Sequence, residues 1–178
     1  MTHLPPVDPA TAPAPARDLL AEVHRRLGCT PNMTRSMANS PALLKGWLDL
    51  SGALSRGVIG PATRERIALA VAQRNGCSYC LSAHSYLAER VVHLDAGDIA
   101  AARIAASADP KTAAILAFAA AVNDGRGTVT REDLAAARAA GLSDEEIAET
   151  IGHVALNVLT NYFNKAADVD IDFPAMAA

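Results

Sequence analysis

Residues 60–89 read GPATRERIALAVAQRNGCSYCLSAHSYLAE, and this stretch decides the fold. Pro61 suits the first turn of a helix, where its missing N–H is not needed. Ile67 and Val71 then repeat at helical spacing as far as Arg74. Asn75-Gly76 interrupts the helix, and a second helix begins at or near Cys77 and runs to about Glu89. Two helices with a short break between them are expected.

The rest of the chain reads the same way. Downstream, helices at 96–106 and 110–123 precede a loop at Asp124-Gly125-Arg126-Gly127. Thr130 caps a helix reaching about Ala140. Ser143 and Glu146 form a capping box. The long helix that follows runs to about Lys165, with Ile147, Ile151, Val154 and Val158 as its expected buried stripe. Upstream, helices are expected from Arg17 to Leu27, from Pro31 to Asn39, and from Pro41 to about Gly57. No strand pattern appears. The expected fold is one all-α domain over 17–178, preceded by a Pro/Ala-rich arm over 1–16 that is extended or disordered. Arg64–Ala72 and Glu145–Ala155 are both helical and alanine-rich, a weak sign of two loosely related halves.

Composition agrees. The 178 residues suffice for one compact core, 51% are hydrophobic, and only 4% are aromatic. An alanine-rich, aromatic-poor chain favours close-packed helices over sheets. The net charge of −3, with both signs interleaved, gives no phosphate-binding face, so nucleic acid is not an expected partner. No apolar run is long enough to span a bilayer. Met1 to Pro6 lack the basic region and apolar stretch of a secretory signal, so a cytoplasmic location is expected. Three cysteines are an odd count and too few for a disulfide scaffold. In a reducing compartment, Cys-x-x-Cys points to catalysis or metal rather than to a staple.

Cys77 and Cys80 can meet across one helical turn and close a disulfide, and His84 shares a face with Cys80. An ordinary cysteine is only about 3% thiolate at pH 7, whereas one with its pKa lowered by about two units is roughly three-quarters thiolate. The helix N-terminus would favour such a shift at Cys77, and His84 would favour it at Cys80. One thiolate would attack an electrophilic oxygen or a disulfide, and the other would resolve the intermediate. Two competing readings stand beside this one. The first is a pair of buried helix cysteines with a surface histidine. The second is a metal site, for which Cys77, Cys80 and His84 supply three ligands, although no second ligand cluster is present and His24, His93 and His153 are scattered. A c-type haem motif needs histidine directly after the second cysteine, where Leu81 stands.

The segment Glu65…Cys77-Ser78-Tyr79-Cys80…His84 resembles the signature of the alkylhydroperoxidase D-like proteins of the carboxymuconolactone decarboxylase superfamily. In that signature a glutamate lies twelve residues before the first cysteine and a histidine four after the second. Glu65, Cys77, Cys80 and His84 match it. Ala155–Asn164 and the tail Asp170-Ile171-Asp172-Phe173-Pro174 are similar to the subgroup called peroxidase-related proteins. The resemblance implies an all-helical fold that assembles through its helices as a homo-oligomer (dimer, trimer or hexamer). It also implies a thiol-dependent peroxidase with no cofactor and no metal. Its substrates would be hydrogen peroxide or alkyl hydroperoxides, and a lipoyl or thioredoxin-like thiol would be the electron donor. By the same resemblance Cys80 is the peroxidatic thiol, Cys77 the resolving one, and His84 with Glu65 the proton relay. A helix-dipole argument alone would instead favour Cys77 as the more acidic thiol. Tyr79 stands where the best-known peroxidases of this type carry a histidine. A tyrosine donates a hydrogen bond but is a poor proton shuttle, and a core-facing role for it is equally open.

Other activities of the same residues are a disulfide reductase or redox adaptor, a lyase of the decarboxylase type, and a non-catalytic helical subunit. His153, Asn157 and Asn161 form a polar line at i, i+4, i+8, expected either to bond within the core or an interface, or to border the pocket. Cys29 is expected as a small buried hydrophobe and Trp47 as a core or interface anchor. The Arg25-Arg26 and Arg64/Arg66 pairs are expected to be solvated unless they flank an acidic partner.

Overall fold

The computed structural model describes residues 2–174. Among them the regular structure is helical throughout: α1 (Ala14–Leu27), α2 (Asn32–Met37), α3 (Pro41–Leu54), α4 (Pro61–Asn75), α5 (Ser78–Arg90), α6 (Ala96–Arg103), α7 (Pro110–Asp124), α8 (Arg131–Ala139) and α9 (Asp144–Ala167). No described helix is long and apolar enough to cross a membrane.

Helix α4 is the hub. Ile67, Ala68, Leu69, Ala70, Val71 and Ala72 are buried one after another, so the helix has no solvent face along this run. Such a helix needs neighbours on all sides, and α5, α6, α7 and α9 supply them. Its alanines let the neighbouring axes come close. Ile67, Leu69 and, on α7, Leu116 are completely buried, each stabilising the fold by about 1.5–3 kcal/mol. A second layer of α1, α2 and α3 encloses its own cluster of Leu20, Val23, Met37, Leu44 and Leu48, and α3 docks it onto α9.

Local chemistry sets the joints. Gly76 ends α4 at φ 62°, a left-handed conformation that glycine adopts without strain. The Cys77 N–H then closes back on the Ala72 carbonyl at 3.0 Å, and Lys165 Nζ donates to the Asn75 carbonyl at 2.6 Å. Between α3 and α4, the Glu149 carboxylate accepts the N–H groups of Val58 (2.8 Å) and Ile59 (3.0 Å). A Cβ at Gly57 would meet that carboxylate and push it off these N–H groups. Both anticipated caps form: Thr130 pairs with Asp133, and Ser143 with Glu146, as capping boxes. Ahead of α1, Val7 and Leu4 lie along α2, through Val7 N–H to the Arg35 carbonyl (3.1 Å) and Ser36 Oγ to the Leu4 carbonyl (3.2 Å).

Several sequence expectations need correction. Helix α1 starts at Ala14 rather than Arg17, because Pro15 falls in its first turn, where proline is tolerated. Helix α3 stops at Leu54, short of Gly57, and α6 stops at Arg103. Helix α9 runs to Ala167, where Asp168 turns left-handed. Ile151 is exposed, so the buried stripe of α9 is not Ile147, Ile151, Val154 and Val158. It runs through Ile147, Thr150, Val154, Asn157, Asn161 and Asn164. Its first half packs on α4 and α7, and its second half puts asparagines against the cysteine region and the end of α4.

Candidate active site

Helix α5 begins on the cysteine pair. Cys77 is its N-cap, and Cys77 Sγ accepts the Cys80 N–H at 3.2 Å. The two cysteines are joined as a disulfide with their Cα atoms 5.3 Å apart, the separation a single helical turn allows. Both are buried, but they face different surroundings. Cys80 lines a cavity of about 260 Å³, and Cys77 does not. The cavity lies between α5, α9 and the α1–α3 layer. Its polar wall is Glu65, His84, Asn157, Thr160 and Asn164, and its apolar wall includes Met33, Trp47, Leu87 and Phe173.

Two contacts define the reactive end. His84 Nδ1 and Glu65 Oε2 are 2.8 Å apart, bridging α5 and the first turns of α4. The histidine therefore has one ring nitrogen committed to a carboxylate, an arrangement that sets its tautomer and orientation. On the opposite side, Asn164 Nδ2 donates to Cys80 Sγ at 3.3 Å. Of the four residues that carry the family resemblance, Glu65, Cys80 and His84 thus line the cavity, and Cys77 is bonded to Cys80 without reaching its wall. Among the described residues no group of three or more His, Cys, Asp or Glu side chains is arranged to hold a metal ion.

Tyr79 combines the two roles the sequence left open. Its ring is buried edge-on against Phe173, with centroids 5.7 Å apart. Its hydroxyl accepts the Met33 N–H (3.2 Å) and donates to Asp172 Oδ1 (2.8 Å). Burial raises its pKa well above the usual tyrosine value, and the Asp172 carboxylate adds to that against the Met33 bond. A phenol held protonated and already bonded on both sides does not shuttle protons. Asp172 Oδ2 also takes the Asn32 N–H at 2.7 Å, so Tyr79 ties the C-terminal segment and α2 together beside the cavity.

Asn157 lines the cavity, but His153 does not. His153 is buried one turn earlier on α9, and its Nε2 has no hydrogen-bond partner among the described residues. Burial, and then the Arg64 charge, lower its pKa from the ordinary 6.5, against the opposing pull of Glu149 and Glu65. The native state therefore holds His153 neutral while the unfolded chain still protonates. Its contribution to stability is complete above the ordinary value and is lost as the pH falls below it. Urea midpoints measured from pH 8 to pH 5 should fall on the acid side. His153→Gln should flatten that fall, and an unchanged slope in the variant would show that other groups cause it.

Cys29 is exposed, contrary to the expectation of a small buried hydrophobe. It follows Gly28, which ends α1 left-handed and turns the chain outward. Partial shielding of its sulfur and the Asp172 carboxylate raise its thiol pKa, which makes it the less reactive kind of thiol. Arg66 pairs with Asp98 at 3.1 Å with its side chain mostly buried, and Arg64 donates to the Ile59 carbonyl at 2.8 Å. Arg66 thus meets the acidic partner that the sequence reading made the exception, and Arg64 is half-buried. The sequence reading missed Asn164 and Phe173 as parts of the site and Trp47 as a wall. The signal for Asn164 was present, since it extends the polar line of Asn157 and Asn161 by one more turn. Trp47 and Phe173 carry no signal in their own neighbourhoods, because tertiary packing brings them to the cavity.

Comparison with known proteins follows the same lines. Residues 41–124 match the model of the carboxymuconolactone decarboxylase family. The alkyl hydroperoxide reductase Rv2159c of Mycobacterium tuberculosis is 30% identical over 112 residues, covering 62% of this chain and 33% of that protein. The match thus spans about a third of the relative's length. Among solved structures, the alkylhydroperoxidase AhpD core protein from Ralstonia eutropha JMP134 superposes with a TM-score of 0.84 at 23% identity, over 96% of this chain and 92% of that one. A peroxidase-related protein from Silicibacter sp. TM1040 gives 0.80 at 23% identity, over 95% and 91%. The debrominase Bmp8, as a cysteine-to-alanine variant with 2,3,4-tribromopyrrole, gives 0.81 at 24% identity, over 97% and 92%. At these identities the three structures bear on the fold.

Proposed function

We propose that this chain, whose residues 41–124 match the model of the carboxymuconolactone decarboxylase family, is a thiol-dependent peroxidase acting through Cys80 and Cys77. The observation that carries the reading is the placement of Cys80. Its sulfur lies on the wall of a largely apolar cavity, within the same wall as the His84–Glu65 pair, and is bonded to a second cysteine behind it. The relationship to an alkyl hydroperoxide reductase supports the same class of chemistry.

The Cys80 thiolate attacks the terminal oxygen of R–O–O–H. An S–O bond forms as the O–O bond breaks, leaving Cys80 as sulfenic acid and releasing an alkoxide. His84 passes the thiol proton to that alkoxide, giving an alcohol. Cys77 then attacks the Cys80 sulfur, expelling hydroxide that leaves as water and forming the disulfide. An external thiol or dithiol, lipoyl or thioredoxin-like, restores both thiols. Its attack falls on Cys80, which faces the cavity. The leaving Cys77 thiolate is stabilised by the N–H groups at the start of α5. The apolar wall favours organic hydroperoxides over hydrogen peroxide. A cytoplasmic location and homo-oligomerisation through helices are part of the proposal. Exposed Leu50 on α3 and Ile151 on α9 are apolar side chains open to such contacts.

The test is anaerobic titration of the fully reduced protein with cumene hydroperoxide. One equivalent should remove two thiols per chain and leave Cys29 free. Consumption no faster than that of free cysteine, with rapid exchange against a lipoyl-domain disulfide, would overturn the peroxidase reading in favour of a disulfide reductase.

A further inference from the structure

Asn164 combines three features that packing does not explain. It is buried in the middle of the last third of α9, yet it lines the cavity. Its amide nitrogen donates to Cys80 Sγ at 3.3 Å. Its carbonyl oxygen is buried with no hydrogen-bond partner among the described residues. A leucine of the same shape would fill the space without leaving a polar atom unpaired, and buried acceptors without partners are uncommon enough to need a reason. Hydrogen bonds to an ionised acceptor are also the strong ones.

We propose that Asn164 is a catalytic residue of the thiol chemistry, donating its Nδ2–H to the Cys80 thiolate and accepting the S–O–H proton of the Cys80 sulfenic acid on Oδ1. The second half rests on the peroxidase reading and the first does not. Both side chains are anchored on helices, so breaking the Cys77–Cys80 bond leaves the donor beside the sulfur. When the S–O bond forms, the new hydroxyl proton finds an acceptor on the same amide. Asn164 thereby supplies from the α9 side what a helix N-terminus supplies to Cys77. It gives a structural reason for Cys80 to carry the reactive thiolate.

The experiment uses the full chain with Cys29→Ser and Cys77→Ser, so that Cys80 is the single thiol, and follows iodoacetamide alkylation against pH. Asn164→Leu should raise the pKa read from that profile by about one unit, a loss of about tenfold in rate on its acid side. Asn164→Asp, which keeps the shape but exchanges the donor for a negative charge, should raise it further. A packing role predicts no such order, and superimposable profiles would overturn the thiolate half. If Asn164→Leu does not fold, as judged by its thermal melt, Asn164→Ala, which removes the donor without adding charge, takes its place. The sulfenic half is read by delayed dimedone trapping after a pulse of cumene hydroperoxide. The adduct should decay severalfold faster in Asn164→Leu, and equal lifetimes would overturn that half. A shifted alkylation profile in a protein that never forms the adduct would remove the peroxidase reading and the sulfenic half, while supporting the thiolate half.

Discussion

Cys80→Ser should lower the rate of peroxide-dependent thiol loss by about 10³-fold or more, the scale on which removing a nucleophile acts. Cys77→Ser should keep the fast first step and stop at the sulfenic acid. The asymmetry comes from position rather than from thiol chemistry in general. Cys77 has the helix N-terminus, and on the dipole argument alone it would be the more acidic of the two. But it is absent from the cavity wall and has its sulfur turned toward the Cys80 N–H. A peroxide entering the cavity meets Cys80 first. Cys80 also has the Asn164 donor and lies four residues before His84 on the same helix. The N-cap position suits Cys77 to a different task, because a stabilised thiolate is a good leaving group when the disulfide is reduced. Stopped-flow measurements on the reduced variants, with dimedone tagging to locate the oxidised cysteine, separate the two roles. Fast oxidation of Cys80→Ser together with slow oxidation of Cys77→Ser would reverse the assignment.

How far the site could be read from sequence depends on how far apart its parts lie. Cys77, Cys80 and His84 are on one helix, so their spacing alone places them together. The break at Asn75-Gly76 was legible because glycine has a specific conformational use there, and the Ser143 and Thr130 caps were legible because capping is settled within four consecutive residues. Glu65 needed the family signature, since nothing in its own segment says that it bends back to His84. Asn164 is 84 residues from Cys80, and only the α4–α9 and α5–α9 packing brings it there. The exposure of Ile151 has the same origin. Periodicity locates a helix's apolar stripe but does not say when neighbouring helices need polar groups instead. The final turns of α9 face the Asn75 side chain and the Cys80 sulfur, so asparagine takes the inner positions there, while in the first half Thr150 and Val154 face inward and Ile151 is left outside. Tyr79 shows a limit of another kind. Its identity made it a poor proton shuttle, but only the fold could reveal that its hydroxyl secures the C-terminal segment through Asp172.

His84→Leu should reduce the second-order rate of peroxide reduction by about 10²- to 10³-fold, the usual range for loss of a general acid–base group. Glu65→Gln should cost only about tenfold. The two residues are 2.8 Å apart and both line the cavity, yet they hold different parts of the task. In the proposed mechanism Nδ1–H donates to Glu65, and the other ring nitrogen is the acceptor left for the Cys80 proton. Leucine removes that acceptor altogether. Glutamine keeps a carbonyl oxygen that Nδ1–H can still bond to, so the ring stays oriented. What it loses is the negative charge that steadies the imidazolium formed in mid-reaction, and a charged hydrogen bond is roughly twice as strong as a neutral one. A Glu65→Leu variant, which loses both the charge and the orientation, should fall between Glu65→Gln and His84→Leu. Because reduction of the disulfide sends a proton the other way, each variant should slow reduction by an external dithiol in the same order. Thermal melts and disulfide content of the oxidised variants control for misfolding. Wild-type oxidation rates in His84→Leu would mean that the Cys80 proton leaves by another route. The Glu65–His84 pair would then be a structural tie between α4 and α5.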